Sequence, residues 1–169
     1  MRGAGDAECT EHTEEIEYIE HTEDTEDAGD AGAMAVGAIR IGTELPPLEI
    51  PVTRTLIVAG AIASRDYQDV HHDAELAREK GSPDVFMNIL TTNGLVGRYI
   101  TDHLGPRAVL RKVAIRLGAP NYPGDTMTLT GTVTALDGDT AQVRVVGANG
   151  IGHHVTGTVT VTLAPGSPA

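Results

Sequence analysis

The sequence has no tryptophan, one phenylalanine and one cysteine among its 169 residues. With so few aromatics, Val, Ile, Leu and Ala must fill the core, with Thr and Gly lining the strands. The lone Cys9 lies in a polar stretch, which excludes an intrachain disulfide and a thiolate metal cage. No apolar run reaches the length of a bilayer span, and the N-terminus lacks the basic-then-apolar order of a secretory signal. A soluble, cytoplasmic protein without a membrane partner is expected. The length suits one domain with a sizeable core.

Basic residues are scarce as well. The formal charge is −12, but it is unevenly spread. Residues 1–33 hold twelve of the 24 acids and a single base, Arg2, a net of −11, which leaves −1 for the rest. The remainder is nearly neutral and carries no basic stripe, so a nucleic-acid partner is not expected. The first 33 residues are poor in apolar side chains and contain Glu-His-Thr-Glu twice, at 11–14 and 20–23. Such a composition buries too little surface to offset chain entropy, so residues 1–33 read as a disordered acidic tail. Their two histidines read as solvated rather than metal-binding. Met34 follows directly and opens an ordinary sequence. Residues 34–164 read as one domain, and residues 165–169 as a frayed end.

Within that domain, residues 37–51 contain Pro46, Pro47 and Pro51 and read as an extended surface lead-in. Residues 52–60 are rich in β-branched types and predict a first strand. Ala61–Arg65 predicts a helical turn. Asp73 is a good N-cap for a short helix over Ala74–Lys80, closed by Gly81. A longer helix is predicted from Pro83-Asp84 to Gly105-Pro106. Its face is Phe86, Ile89, Leu90, Asn93, Val96, Ile100 and His103. Strands follow at Val109–Leu117, Thr126–Leu136, Gln142–Val146 and Val155–Leu163, with a hairpin turn at Asp137-Gly138-Asp139. The order predicts an α+β fold, one antiparallel sheet wrapped around one helix. A sheet this short leaves an edge that a dimer partner would cover.

The densest chemistry is Asp66-Tyr67-Gln68-Asp69-Val70-His71-His72-Asp73. On a continuous helix Asp66 and His71 would lie on different faces. A turn between them could bring a carboxylate and an imidazole onto one water molecule. The bland alternative is a capping Asp followed by a surface His. His72 and Asp73 add a weak metal pattern, since adjacent side chains diverge; no metal site is expected. Gly94 and Gly97 interrupt the long helix, which serves close packing against the sheet or leaves room for a bulky ligand. His153-His154 reads as structural or partner-facing. Gly147–Gly152 is glycine-rich but precedes no helix, so it is not a phosphate loop.

Residues 66–73, with Ala77 and Gly81, resemble the hydratase-2 motif of MaoC-like proteins, the hotdog-fold (R)-specific enoyl-CoA hydratases and dehydratases. Tyr67, Val70 and Asp73 fit that pattern; Gln68 replaces its Asn and Asp69 its Pro. Ala119-Pro120-Asn121-Tyr122-Pro123-Gly124-Asp125 is similar to the family's second signature. The likeness spans about residues 45–164. Arg65–Asp73, Asn88–Thr91, Gly94–Val96, Arg98-Tyr99 and Arg116–Gly118 further resemble the small MaoC-type subunit of heteromeric steroid enoyl-CoA hydratases of cholesterol side-chain degradation.

That resemblance implies a hotdog fold and a catalytic dyad, Asp66 and His71, that activates water for hydration of a trans-2-enoyl-CoA with a bulky acyl group. It implies an oxyanion donor at the start of the central helix, the backbone N–H of Asn88, where relatives usually have Gly. Gly94 and Gly97 would make space for the acyl group. Arg111, Lys112 and Arg116 are the candidates for the CoA phosphates. No cofactor is implied, since the CoA thioester is the substrate. The implied partner is a second hotdog subunit in a heterotetramer, or a second copy in a homodimer. Two rivals stay open: a non-catalytic acyl-CoA-binding subunit that completes a partner's site, and an acyl-CoA thioesterase.

Overall fold

The computed structural model describes residues 39–163. The expectations for the acidic tail and for residues 165–169 lie outside the described residues. In chain order the elements are β1 (Glu44–Pro51), α1 (Arg54–Ala63), a 3-10 turn (Asp69–His71), α2 (Ala74–Glu79), α3 (Ile89–Leu104), β2 (Val109–Leu117), β3 (Thr126–Asp137), β4 (Thr140–Ala148) and β5 (His153–Thr162). The five strands form one antiparallel sheet in the order β1-β3-β4-β5-β2. α3 packs on this sheet, the α+β hotdog arrangement that the motifs imply. No helix among the described residues is long and apolar enough to cross a membrane.

The first strand is not where the β-branched run suggests. Residues 52–60 fall largely in α1, and the strand is instead the proline-bearing stretch Glu44–Pro51. Thr53 decides the helix start: its side chain accepts the Leu56 N–H at 3.0 Å. α1 then buries Ile57 and Ala61, one turn apart, while Ile62 stays exposed. Its outer face is apolar as well, so the helical period is hidden in the sequence. β1 tolerates Pro46 and Pro47 because it is an edge strand with a register shift between Leu45 and Leu48. A residue without an N–H costs an edge little.

The long helix also starts later than Pro83-Asp84. Residues 85–88 are extended, and the amides of the first three are committed elsewhere. Val85 N–H goes to Asp84 Oδ1 at 2.7 Å, Phe86 N–H to Val70 O at 3.1 Å and Met87 N–H to Asn121 O at 3.1 Å. α3 begins at Ile89 with Asn88 as its cap. Its buried side includes Val96, Tyr99, Ile100 and Leu104. Tyr99 is fully buried, and its hydroxyl donates between Pro46 O at 3.0 Å and Leu45 O at 3.3 Å. Burial pushes this phenol up to about 12. The sheet yields to it at Gly131, where a Cβ would lie 2.9 Å from Tyr99 Cε1. The later strands fall where the alternation places them. β3 buries Met127, Leu129, Gly131 and Val133 and turns its threonines outward.

Candidate active site

Asp66 is delivered by the way α1 ends. Arg65 N–H donates to Ile62 O at 3.0 Å and Asp66 N–H to Ala61 O at 2.9 Å. This pair of bonds is a Schellman closure, with Arg65 in its left-handed position at φ 57°. Glycine is the usual occupant, because a Cβ there crowds the next carbonyl. The chain leaves the helix at this point. It then winds into the 3-10 turn, where His71 N–H donates to Gln68 O at 3.0 Å. Asp69, in place of the motif's Pro, pairs with Lys80 Nζ at 2.6 Å and ties the turn to the end of α2. That lysine holds the Asp69 carboxyl below its ordinary range.

These two turns make Asp66 and His71 face each other. His71 Nε2 lies 3.5 Å from Asp66 Oδ2, with the side chains 8% and 18% exposed. The opposite ring nitrogen, Nδ1, is 2.7 Å from Phe86 O. A carbonyl only accepts, so Nδ1 carries a proton and Nε2 is the nitrogen turned towards the carboxylate. The Phe86 ring stands edge-on to the imidazole, centroids 5.0 Å apart. The neighbours divide as the sequence suggests. Asp73 caps α2 through the N–H groups of Glu75 and Leu76, at 2.9 and 3.0 Å. His72 is exposed, with Nε2 3.2 Å from Tyr67 O.

Asn88 is buried and joins this pair by its side chain. Its Nδ2 donates to Asp66 Oδ2 at 3.0 Å and to Ser64 Oγ at 2.9 Å, and its Oδ1 accepts the Thr91 N–H at 2.9 Å. The partners settle which end is which, since a carboxylate accepts only and an amide N–H donates only. The backbone N–H of Asn88 donates to no acceptor among the described residues. Phe86–Asn88 therefore holds both dyad members, one by a carbonyl and one by a carboxamide. The strip is fixed from behind through Met87 N–H to Asn121 O. Asn121 is fixed in turn by Asn149 Nδ2, 2.7 Å from its Oδ1.

A second buried polar pair lies next to α3. His154 Nδ1 is 2.7 Å from Ala119 O, and its Nε2 is 2.8 Å from Thr92 Oγ1. Burial pushes the imidazole below its ordinary range, against a smaller upward pull from the Ala119 bond. His154 is thus the structural member of its pair, and His153 is exposed.

The two glycines of α3 part company. A Cβ on Gly94 would meet nothing within 4 Å, while one on Gly97 would sit 3.2 Å from Leu110 Cδ1. Both line an open groove of ≈ 410 Å³ between α3 and β2, with Leu90, Leu110 and Val113. Arg111, Lys112 and Arg116 are exposed on β2 at the sheet edge, and none bonds to a member of the dyad cluster. Arg111 Nε donates to Thr162 Oγ1 at 2.9 Å. Lys112 and Arg116 alternate with Val113, Ile115 and Leu117, which pack on the core, so they lie on the sheet's outer face. Among the described residues no three His, Cys, Asp or Glu side chains are disposed to hold a metal ion.

Several members of this site escape a reading of the sequence. The Phe86 carbonyl and the Asn121 carbonyl carry no residue-type signal. Ser64 and the Thr92–His154 pair are joined only by the fold. Asn88 is named in the sequence for its backbone N–H alone; its side-chain role as a cap could have been found too, since Asn is a preferred N-cap type ahead of a helical run.

A family model described as MaoC like domain matches residues 38–161. The chain is 48% identical over 123 residues to the 3-oxo-4,17-pregnadiene-20-carboxyl-CoA hydratase beta subunit of Mycobacterium tuberculosis, covering 73% of this chain and 95% of that protein. Among solved structures it is similar to the ChsH1-ChsH2 complex from Mycobacterium tuberculosis, with TM-score 0.73 and 47% identity over 74% of this chain and 98% of that one. It is also similar in fold to the (R)-hydratase from A. caviae involved in PHA biosynthesis, with TM-score 0.70 and 21% identity over 75% of this chain and 98% of that one.

Proposed function

The chain belongs to the family of MaoC-like domains, and from that premise we propose that it catalyses reversible hydration of a trans-2-enoyl-CoA to a 3-hydroxyacyl-CoA. The observation that carries this reading is the facing pair itself. Asp66 and His71 stand 3.5 Å apart, His71 held through its opposite nitrogen by Phe86 O and Asp66 held by the Asn88 amide on the oxygen that faces His71. Two acceptors at that separation can grip one water between them. One dyad member takes a proton from this water as its oxygen bonds to Cβ and the C2–C3 π bond opens. The proton is returned to Cα, so the elements of water are added and nothing else is consumed.

As the oxygen attacks, the thioester oxygen gains enolate charge and needs a donor. The backbone N–H of Asn88 is the candidate. It has no partner among the described residues and stands at the positive end of α3. The acyl group is assigned to the steroid type. The support is the 48% identity to a subunit named for a pregnadiene carboxyl-CoA, together with the open groove beside Gly94. Arg111, Lys112 and Arg116 are assigned to the CoA phosphates as the basic residues of β2. The partner is assigned as a second hotdog chain, supported by the likeness to one chain of a two-protein complex. No cofactor is needed.

The test is hydration measured as loss of the conjugated enoyl-thioester absorbance, with steroid and straight-chain enoyl-CoAs and the chain isolated with its co-purifying partner. Asp66→Asn and His71→Ala should each lower the rate by roughly 10²-fold or more, with melting temperature nearly unchanged. Full activity in either variant would make this chain a binding subunit and remove the catalytic assignment.

A further inference from the structure

The side chain of Asn88 does something that its backbone N–H does not require. Both of its N–H donors and its carbonyl oxygen are engaged: the donors on Asp66 Oδ2 and Ser64 Oγ, the oxygen on the Thr91 N–H. Ser64 Oγ cannot compete for the carboxylate, because its own proton goes to Gly60 O at 2.7 Å. Lys80 is engaged with Asp69 and Arg54 with Asp84, so neither cation neutralises Asp66. The amide donor of Asn88 is the one side-chain N–H on the Asp66 carboxylate among the described residues. Its torsions are locked by the helix cap at the other end.

We infer that the Asn88 carboxamide is a positioning residue of the dyad. It clamps Oδ2 of Asp66, the oxygen that also faces His71 Nε2, to the N-terminus of α3, and so fixes the carboxylate edge that the water shared with His71 would meet. This rests on the hydration reading above and adds a role for Asn88 separate from its backbone N–H. The cap and the clamp are two ends of one planar group. The start of α3 and the orientation of Asp66 are therefore set by the same torsions, and a carboxylate that could rotate would give up the alignment a water needs.

Two substitutions separate the parts. Asn88→Asp keeps the oxygen that caps Thr91 but sets a second carboxylate where the donor was. Two carboxylates so close cannot both ionise readily, so the apparent pKa of Asp66 should rise. The acid limb of kcat/KM should move up by about one pH unit or more, and kcat at neutral pH should fall by about tenfold or more. KM should change by less than about threefold, since nothing that holds the ground-state substrate is removed. Asn88→Gly keeps the backbone N–H and most of the capping preference but loses the carboxamide. It too should lose about tenfold in kcat. A carboxyl-carbon NMR titration of Asp66 gives a readout independent of turnover, and melting temperatures confirm that each variant is folded.

Wild-type kcat in Asn88→Gly, or an Asp66 titration and acid limb unmoved in Asn88→Asp, would overturn the positioning role. Failure of the hydration reading looks different. There the wild-type chain with its partner would match Asp66→Asn in turnover, while the NMR titration would still decide whether Asn88 holds the carboxylate.

Discussion

Thr92→Val removes one proton donor from a fully buried site and changes little else. Thr92 and His154 are both buried, and Oγ1 lies 2.8 Å from Nε2. The direction of the bond follows from the other side of the ring. His154 Nδ1 must donate to Ala119 O, 2.7 Å away, so Nε2 of the neutral imidazole is an acceptor and Thr92 the donor. Valine keeps the shape and supplies no proton, which strands an imidazole nitrogen beyond the reach of water. Leaving a buried acceptor unpaired costs about 1–3 kcal/mol. A urea slope of roughly 1–3 kcal/mol/M turns that loss into a midpoint lowered by about 1 M. Equilibrium urea unfolding measures it directly. Pairing Thr92→Val with His154→Gln in a double-mutant cycle isolates the bond, and the coupling should be at least about 0.5 kcal/mol. A Thr92→Val loss below about 0.5 kcal/mol, or strict additivity in the cycle, would mean that the hydroxyl is not the donor and the tautomer argument is wrong.

The sequence makes the chemistry more legible than the folding of its own surroundings. Asp66 and His71 come within 3.5 Å of each other, as a turn between them allows, and Asp73 caps α2 as its place in the sequence suggests. The alternation of β3 is visible because one face is threonine and the other apolar. α1 is hidden because both of its faces are apolar, so β propensity wins on paper while the Thr53 cap and the buried Ile57–Ala61 stripe win in the protein. β1 is hidden for the opposite reason. Its prolines argue against a strand, and only its place at the edge makes them harmless. The start of α3 is misread because the amides of Phe86 and Met87 are taken by Val70 and Asn121, a choice made between distant residues. The dyad's supports share that property. A carbonyl has no letter in the sequence, so the group that orients His71 is invisible until the chain is folded.

Two further outcomes test the ends of this framework. Arg65 occupies the left-handed position at φ 57°, which costs a residue with a Cβ about 1–2 kcal/mol, whereas glycine there gives back about 0.5–1 kcal/mol in unfolded-chain entropy. Arg65→Gly should therefore stabilise the protein by about 0.5–1 kcal/mol and Arg65→Ala should be near neutral, read by urea midpoints; equal effects would deny the strain. His154 supplies the pH test. Its folded pKa is depressed by burial, so below the unfolded value of about 6.5 the unfolded chain binds a proton that the folded chain refuses. Its contribution to stability is then present above about pH 6.5 and is lost as the pH falls from there towards the lower folded value. Imidazole NMR should find His154 titrating at lower pH than an ordinary histidine. A normal titration would show that the Ala119–His154–Thr92 chain does not hold the ring in one protonation state, and the donor assignment for Thr92 would fall with it.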